Sequence, residues 1–477
     1  MDVVRLSIYC LFCLFSYCML RLIYRRNGFP SKYLLIALVA AQLVLKIFDR
    51  YYVPSFESIL RGGDEVAPLG WVELISKFQK TGIIPFSTMS EGPGIYYLVY
   101  GIASVAHVTY VQALIIAAIV FGSLYVLPCY YMYRQFGSVW NSDSTRIALA
   151  GTTMISMSDV MVYSTTIARP VLIGLFLLPI AMWALQRIHI NFRWTTFAML
   201  LTVSVFILLV HAPFTYVVLL LVATFIGLLY NHLRKWNVVY ILALYSLYGL
   251  AIAYIMPDLG RIWRVELFGA YPLKIIAVFL SKDFYLIFPA LGLFVLLIII
   301  VRSHVFLRIT KHGLSSLRLF RFLVVLLAAL AVMGAAGVLT AYSAYISQFY
   351  GSMWRLLLFQ GWKLGFGVLA FLGLRIYITR NRKISVPIAW TVSLGFLVVI
   401  LALYTPLRSY PGLSNLDERF AEFLYYPAFY FIAVGLDYLA RNTSPRVFHW
   451  VVLPLVSIFT IPSLMVGVHD PTVFNPS

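Results

Sequence analysis

Apolar runs of about 20 residues, separated by short polar segments, recur along the whole chain. Each run is long enough to cross the roughly 30 Å hydrocarbon core of a bilayer as an α-helix. The pattern predicts an all-α polytopic membrane protein with about 13–14 transmembrane helices, forming a single transmembrane domain over residues 1–477. The predicted spans are 3–20, 33–48, 110–133, 147–165, 170–187, 195–210, 214–230, 238–256, 283–301, 322–341, 356–374, 386–404, 421–440 and 450–466.

Charged residues interrupt the apolar pattern most often in the segment 49–108. This segment holds six of the 17 carboxylates of the chain. Within it, residues 68–80 are patterned as an amphipathic helix that lies on a membrane surface. The apolar face of that helix repeats at i, i+3, i+4 and i+7 and consists of Trp71, Leu74, Ile75 and Phe78. We interpret 93–107 as a re-entrant or surface helix, because a span there would place the later basic loops outside.

The formal net charge of +19 is best explained by membrane topology. Most of the basic residues occur between the spans and do not cluster on one face of a soluble domain. This distribution argues against a nucleic-acid partner. Groups of these basic residues fall in six loops that all lie on one side of the predicted topology, namely 134–146, 187–193, 234–235, 302–321, 375–383 and 441–446. The positive-inside rule makes this side cytoplasmic, so 49–108 is predicted to be an external loop. Only Asp143 and Asp437 among the acidic residues fall on the inner side.

Three acidic residues at two places on the external side are candidates for catalysis or substrate binding. Asp64 and Glu65 follow Gly62-Gly63 directly before the predicted juxtamembrane helix, although such a pair can also simply solvate a loop. Asp159 falls near the external end of its span, where an unpaired carboxylate is costly, so it is either functional or paired with Arg169. The residues alone leave both alternatives open.

Several short motifs occur in a characteristic order: Gly63-Asp64-Glu65, then Glu91-Gly-Pro-Gly-Ile-Tyr-Tyr, Arg169-Pro170, His211-Ala-Pro, and Asp417-Glu418-Arg419-Phe420. This layout resembles the GT-C superfamily of polyprenyl-phosphate-dependent glycosyltransferases. Protein O-mannosyltransferases, lipid A aminoarabinose transferases and oligosaccharyltransferases belong to that superfamily. The segment at Glu91 departs from the family, because it lacks the double proline and the histidine that relatives often carry there.

The resemblance implies a catalytic base in the first external loop, which would be Asp64, with Glu65 as the alternative. It also implies that Arg419 binds the donor phosphate, although a salt bridge to a nearby carboxylate would explain this arginine equally well. The further candidates for substrate or phosphate binding are Arg169, Asp159, Glu91 and His211. A hairpin position satisfied by backbone carbonyls is the plainer interpretation of His211. A divalent cation, Mg²⁺ or Mn²⁺, at Asp64 and Asp159 would match the oligosaccharyltransferase branch.

The sequence therefore predicts an integral membrane glycosyltransferase with an active site on the extracytoplasmic side of the cell membrane or endoplasmic reticulum. It would move a sugar from a polyprenyl-phosphate donor to a glycan, lipid or protein acceptor, using a carboxylate base. A lipid or solute transporter, a flippase and a non-catalytic assembly subunit are the alternatives. For a transporter we expect paired charged or broken positions within the spans, and Lys46 and Lys363 are the few basic residues there.

Overall fold

The computed structural model describes residues 3–25, 30–52, 72–73, 94–138, 143–166, 170–229, 235–250, 361–380, 385–403 and 416–467. Within these residues the regular structure is entirely helical, which confirms the predicted all-α fold. Six of the described segments are long and apolar enough to cross a membrane: Val3–Ile23, Ser31–Tyr51, Tyr110–Phe136, Leu172–Ile190, Glu422–Asn442 and Pro445–Val466. The chain is a multi-pass membrane protein.

The helices of the first part of the chain follow the predicted order. They are α1 (Val3–Ile23), α2 (Ser31–Tyr52), α3 (Gly94–Ala106), α4 (Tyr110–Leu124), α5 (Val126–Phe136), α6 (Ser144–Ser156), α7 (Asp159–Thr166) and α8 (Pro170–Ile190). At about 20 Å, α3 is shorter than the hydrocarbon core and packs against α4. Thr109 and Gln112 form a capping box at the start of α4. This cap fixes where α4 begins after α3.

The later helices are α9 (Trp194–Leu229), α10 (Lys235–Leu250), α11 (Trp362–Arg380), α12 (Val386–Leu403) and α13 (Leu416–Asn442). A final span follows, which begins at Pro445–Val447 and continues through a π-helical turn at Phe448–Val452. It then runs through Leu453–Ile458 and Thr460–Gly467. The predicted spans at 283–301 and 322–341 lie outside the described residues.

The predicted outer hairpin at His211-Ala-Pro is wrong. The structure has one continuous helix, α9, of 36 residues where the sequence pattern predicted two spans, 195–210 and 214–230. Apolar residues continue on both sides of Pro213, and a proline in a membrane helix removes only one backbone donor. The proline was therefore a weaker break than the sequence analysis assumed.

The chain forms two compact units. The first contains Met1–Leu219, Ile346–Ile388 and Tyr425–Ser477, and the second contains Leu220–Tyr345 and Ala389–Leu424. In the first unit, α5 packs on α6 and α8, and α2 packs on α4. Fully buried tyrosines line its interior, and the Tyr133 hydroxyl donates to the Tyr426 carbonyl oxygen at 2.7 Å. In the second unit, the hydroxyls of Thr224 and Tyr245 are 3.0 Å apart and join α9 to α10.

A network of two arginines and two aspartates closes one end of the first unit. Asp437, almost fully buried on α13, accepts from Arg146 Nε at 2.7 Å and from Arg441 Nε at 2.9 Å. Asp143 accepts from Arg146 at 3.0 Å and also pairs with Arg441. The sequence analysis placed all four residues on the same side of the membrane, and the structure brings them together. We call this the basic end of the bundle.

Candidate active site

The span predicted at 147–165 is broken in the middle. Helix α6 ends at Ser156 and α7 begins at Asp159, and no helix continues through Met157 and Ser158. A break within a membrane leaves backbone carbonyls that need donors, because lipid supplies none. Gln42 Nε2 donates to the Ser156 carbonyl oxygen at 3.0 Å, and Ser463 Oγ donates to that of Met157 at 2.9 Å. Helix α2 and the final span therefore hold this break open as a fixed feature.

The first residue after the break, Asp159, is buried and makes an ion pair with Lys363. Its Oδ2 lies 2.7 Å from Lys363 Nζ, and its side chain is only 4% exposed. The side chain of Lys363 is 37% exposed, so the lysine is partly accessible while the aspartate is not. Asp159 also begins α7, where the positive end of the helix dipole favours a negative charge. Both effects place positive charge beside the Asp159 side chain.

Aromatic side chains flank this ion pair. The Tyr425 hydroxyl donates a long hydrogen bond of 3.4 Å to Asp159 Oδ1. Lys363 Nζ lies 5.7 Å from the centre of the Tyr425 ring and 5.6 Å from that of Trp362. Rings at this distance attract an ammonium through their electron-rich faces. The charge of Lys363 is therefore shared among a carboxylate and two aromatic rings.

A second lysine, which is buried, binds the other end of α7. Lys46 on α2, 1% exposed, donates to the Val162 carbonyl oxygen at 3.1 Å and to Thr165 Oγ1 at 2.6 Å. Asp49 and Arg50, one turn further along α2, are also buried. Each end of this 8-residue helix is thus bound by an ammonium group.

The Asp159 ion pair lies far from the basic end of the bundle. Along α13, Tyr425 precedes Asp437 by about 18 Å, and along α11, Lys363 precedes Arg380 by about 26 Å, at about 1.5 Å per residue. A hydrocarbon core is roughly 30 Å thick. The ion pair therefore lies near the opposite end of α11 and α13 from the basic end.

Of the predicted site residues, Asp159 alone has a described side chain. It is paired, as one of the two alternatives required, but its partner in the structure is Lys363. Asp64, Glu65, Glu91 and Arg169 lie outside the described residues. His211 lies on α9 and Arg419 on α13, and only their backbone positions are described. Their proposed roles stay predictions.

Two residues of the predicted juxtamembrane helix are described, and both are helical. Glu73 is exposed, which matches its predicted place on the polar side. Val72 is fully buried in an apolar cluster with residues of α3, α4 and α8, among them Val99 and Leu114. This part of the 49–108 segment therefore packs on the protein itself, in contact with the helices that surround the candidate site.

The described residues at Asp159 do not make a metal site. One carboxylate oxygen faces an ammonium and the other a tyrosine hydroxyl. Within the described part of the chain, no three His, Cys, Asp or Glu side chains come together as metal ligands. A cation at Asp159 would have to displace Lys363. Because Asp64 is outside the described residues, the predicted Mg²⁺ or Mn²⁺ stays a prediction.

From sequence, Lys46 and Lys363 stand out only as basic residues within spans, and Tyr425 has no predicted role. Charged residues at membrane depth are costly, and they are a functional signal in their own right. That signal could have drawn attention to both lysines. Nothing in the sequence pairs Lys363 with Asp159, about 200 residues earlier in the chain, or selects Tyr425 from 33 tyrosines.

No protein-family model and no curated protein matches the chain. Solved structures do match in fold. The archaeal oligosaccharyltransferase AglB from Archaeoglobus fulgidus, in complex with an inhibitory peptide and a dolichol-phosphate, matches with a TM-score of 0.54 and 14% identity. The alignment covers 93% of this chain and 56% of that one. A structure of the Archaeoglobus fulgidus enzyme tethered to an acceptor peptide gives a TM-score of 0.48, 12% identity, and coverage of 92% and 54%.

The similarity to AglB shows that this chain shares its fold with part of that oligosaccharyltransferase. The sequence motifs implied a helical membrane fold of this kind, and the similarity to AglB bears out that fold. The chain spans a little over half the length of the oligosaccharyltransferase that it matches.

Proposed function

We propose that the protein is an integral membrane glycosyltransferase that transfers a sugar from a polyprenyl-phosphate donor to an acceptor at the extracytoplasmic face. The observation that carries the proposal is the ion pair between buried Asp159 and partly exposed Lys363. This pair lies beside a helix break in a bundle whose fold is similar to that of an oligosaccharyltransferase. A structural neighbour was solved with a dolichol-phosphate. This polyprenyl-type lipid phosphate is the kind of leaving group that the proposed reaction releases. This supports a lipid-linked donor for the present chain.

The proposed reaction is a direct displacement. The oxygen of an acceptor hydroxyl attacks the anomeric carbon of the sugar, and the bond from that carbon to the donor's phosphate oxygen breaks. The electron pair of that bond leaves with the polyprenyl phosphate, and the hydroxyl proton passes to a carboxylate within hydrogen-bond reach. Positive charge near the phosphate stabilises the negative charge that develops there. The products are the glycosylated acceptor and the free lipid phosphate.

Asp64 is proposed as the base, with Glu65 as the alternative. Asp159 is a weaker candidate for this role, because its carboxylate already holds an ammonium at 2.7 Å and is shielded from accessible space. The predicted juxtamembrane helix would hold Asp64 near the bundle, and the burial of Val72 against the helix cluster supports this. Arg419 is proposed to contact the donor phosphate.

Transport is the second candidate function, because a broken helix beside buried charges also occurs in transporters. The two functions differ in their products. A transferase releases free polyprenyl phosphate from a lipid-linked sugar, whereas a transporter or flippase moves an intact molecule across the bilayer. Incubating the purified protein with a panel of polyprenyl-phosphate sugars and candidate acceptors therefore distinguishes them.

The variant Asp64→Asn tests the catalytic assignment, with Glu65→Gln as the neighbouring control. Loss of the base is expected to slow sugar transfer by about 100-fold or more while the donor still binds, because the asparagine keeps the size of the side chain but cannot accept the proton. If only Glu65→Gln slows transfer, the base is Glu65. If the wild type releases no lipid phosphate from any donor in the panel, the glycosyltransferase proposal fails.

A further inference from the structure

We propose that Lys363 binds the phosphate of the lipid-linked donor, and that Asp159 is the positioning residue that holds its ammonium in place. This inference rests on the proposed function and assigns it a residue that the sequence motifs did not indicate. The geometry that points to it is the Asp159–Lys363–Tyr425 contact beside the helix break.

Lys363 has both a fixed position and an open side. Asp159 binds the ammonium at 2.7 Å, and the rings of Trp362 and Tyr425 limit where it can move. An ammonium group has three N–H donors, so a second acceptor can bind while the contact with Asp159 remains. Because the Lys363 side chain is 37% exposed, whereas that of Asp159 is 4% exposed, we place that acceptor on the exposed side of the lysine. The buried Asp159 is instead inaccessible to a ligand.

The ammonium group itself favours an anion as that second acceptor. A hydrogen bond from an ammonium to a phosphate oxygen is shorter and stronger than one to a neutral acceptor. A phosphate is therefore the acceptor that Lys363 would bind most strongly.

The position of the ion pair favours an anion that is attached to a lipid. Tyr425, which contacts the pair, lies near the start of the membrane-spanning segment Glu422–Asn442, and the basic end lies near the other end of that segment. Further aromatic rings lie next to the pair. The ring of Phe459 packs against those of Trp362 and Phe366, with distances between ring centres of 5.2 Å and 4.6 Å. A charged group beside an apolar wall matches a phosphate that carries a hydrocarbon chain.

The test measures binding of a polyprenyl phosphate without sugar to the full-length protein in phosphatidylcholine nanodiscs. Because Lys363→Met alone would leave Asp159 buried without its cation, the comparison is made in a neutral background. Asp159→Asn is compared with the double variant Asp159→Asn/Lys363→Met, so the two proteins differ only by the ammonium. Loss of a charged hydrogen bond is expected to weaken the affinity about tenfold or more.

Arg375→Gln is the matched control, because it removes one positive charge from the same helix near its other end. Its affinity for polyprenyl phosphate is expected to stay within about twofold of the wild type, whereas Lys363→Arg should retain most of the binding. An equal loss in Arg375→Gln and in the double variant would mean that general electrostatic attraction to the lipid is being measured. That result would overturn the inference.

Competitors identify the source of the phosphate. If the site takes the polyprenyl donor, phosphatidylglycerol and inorganic phosphate should displace the probe only at far higher concentration. Equal competition by phosphatidylglycerol would make it a general headgroup site, and equal competition by inorganic phosphate would make it a free-phosphate site. Either result contradicts the inference.

A kinetic readout separates positioning from simple structural support. In Asp159→Asn the ammonium is still present but no longer fixed, so kcat for transfer should fall while polyprenyl phosphate still binds. If Asp159→Asn transfers at the normal rate, its positioning role is refuted. If the wild type binds polyprenyl phosphate and the double variant binds it equally well, the Lys363 assignment fails while the proposed function stands. If the wild type neither binds it nor transfers sugar, both fail.

Discussion

Replacing Gly373 by alanine is expected to push apart two membrane helices whose backbones touch. A Cβ atom at Gly373 on α11 would lie 2.7 Å from the Phe431 carbonyl carbon and 2.8 Å from the Gly435 nitrogen on α13, and closer still to the Phe431 oxygen. Real Cβ contacts are seldom below 3.4 Å. Because the obstacle is backbone, no side-chain rotation can relieve it. Small residues allow such close contact in membrane bundles.

The magnitude follows from two opposing effects. Overpacking costs about 1–3 kcal/mol, and alanine returns up to about 1 kcal/mol through its higher helix propensity. The net expected loss for Gly373→Ala is therefore about 1–2 kcal/mol in the free energy of unfolding. Gly367, on the same helix, is the matched control, because a Cβ there would meet nothing within 4 Å. Gly367→Ala should leave stability unchanged or raise it by up to about 1 kcal/mol.

The assay is equilibrium unfolding of the purified protein in mixed micelles, titrated with SDS and followed by tryptophan fluorescence. Gly373→Ala should shift the midpoint to lower SDS, and Gly367→Ala should not. If both variants unfold at the wild-type midpoint, the backbone contact between α11 and α13 does not exist as described. If both are destabilised equally, the cause is not this contact.

Three further results are expected. Gln42→Leu leaves the Ser156 carbonyl oxygen without its donor, which should cost about 1–3 kcal/mol in the same unfolding assay; an unchanged midpoint would contradict the role of Gln42 at the helix break. Asp437→Ala removes one of the two carboxylates that Arg146 and Arg441 share and leaves Asp143 to pair with both. Because both arginines are about one-third exposed, the loss should be only about 1–3 kcal/mol in low salt and smaller in high salt; equal loss at both salt concentrations would argue against an electrostatic cause. Cysteines introduced in a functional cysteine-free background at Ser87 and Ser315 should be labelled from outside only at Ser87, and the reverse result would overturn the predicted topology.

The sequence by itself determined the class of fold and much of the span pattern. Apolar runs such as 3–20 and 170–187 predict helices that the structure places at Val3–Ile23 and Pro170–Ile190. These runs are reliable because a bilayer leaves the backbone no other way to satisfy its polar groups than to form helices. The layout of short motifs also implied a fold like that of an oligosaccharyltransferase, and a solved oligosaccharyltransferase structure is similar in fold.

Helix continuity was harder to predict, because the same residues have different effects in different surroundings. Pro213 was expected to end a span, yet α9 continues through it. The 147–165 run contains no proline or glycine at its centre near Met157, yet it breaks there. The break depends on Gln42 and Ser463, which supply donors from other helices, and local sequence does not contain that information.

The candidate site was decided by tertiary structure more than by motif. The cost of burying a charge marked Asp159 as functional or paired from sequence alone, but its partner could not be identified, because Lys363 is distant in the chain and follows no fixed spacing. Packing of α7, α11 and α13 brings Asp159, Lys363 and Tyr425 together. Sequence determines which residues are costly to bury, because that cost is a property of each side chain. Which partner offsets the cost is a property of the folded bundle, and only the structure contains it.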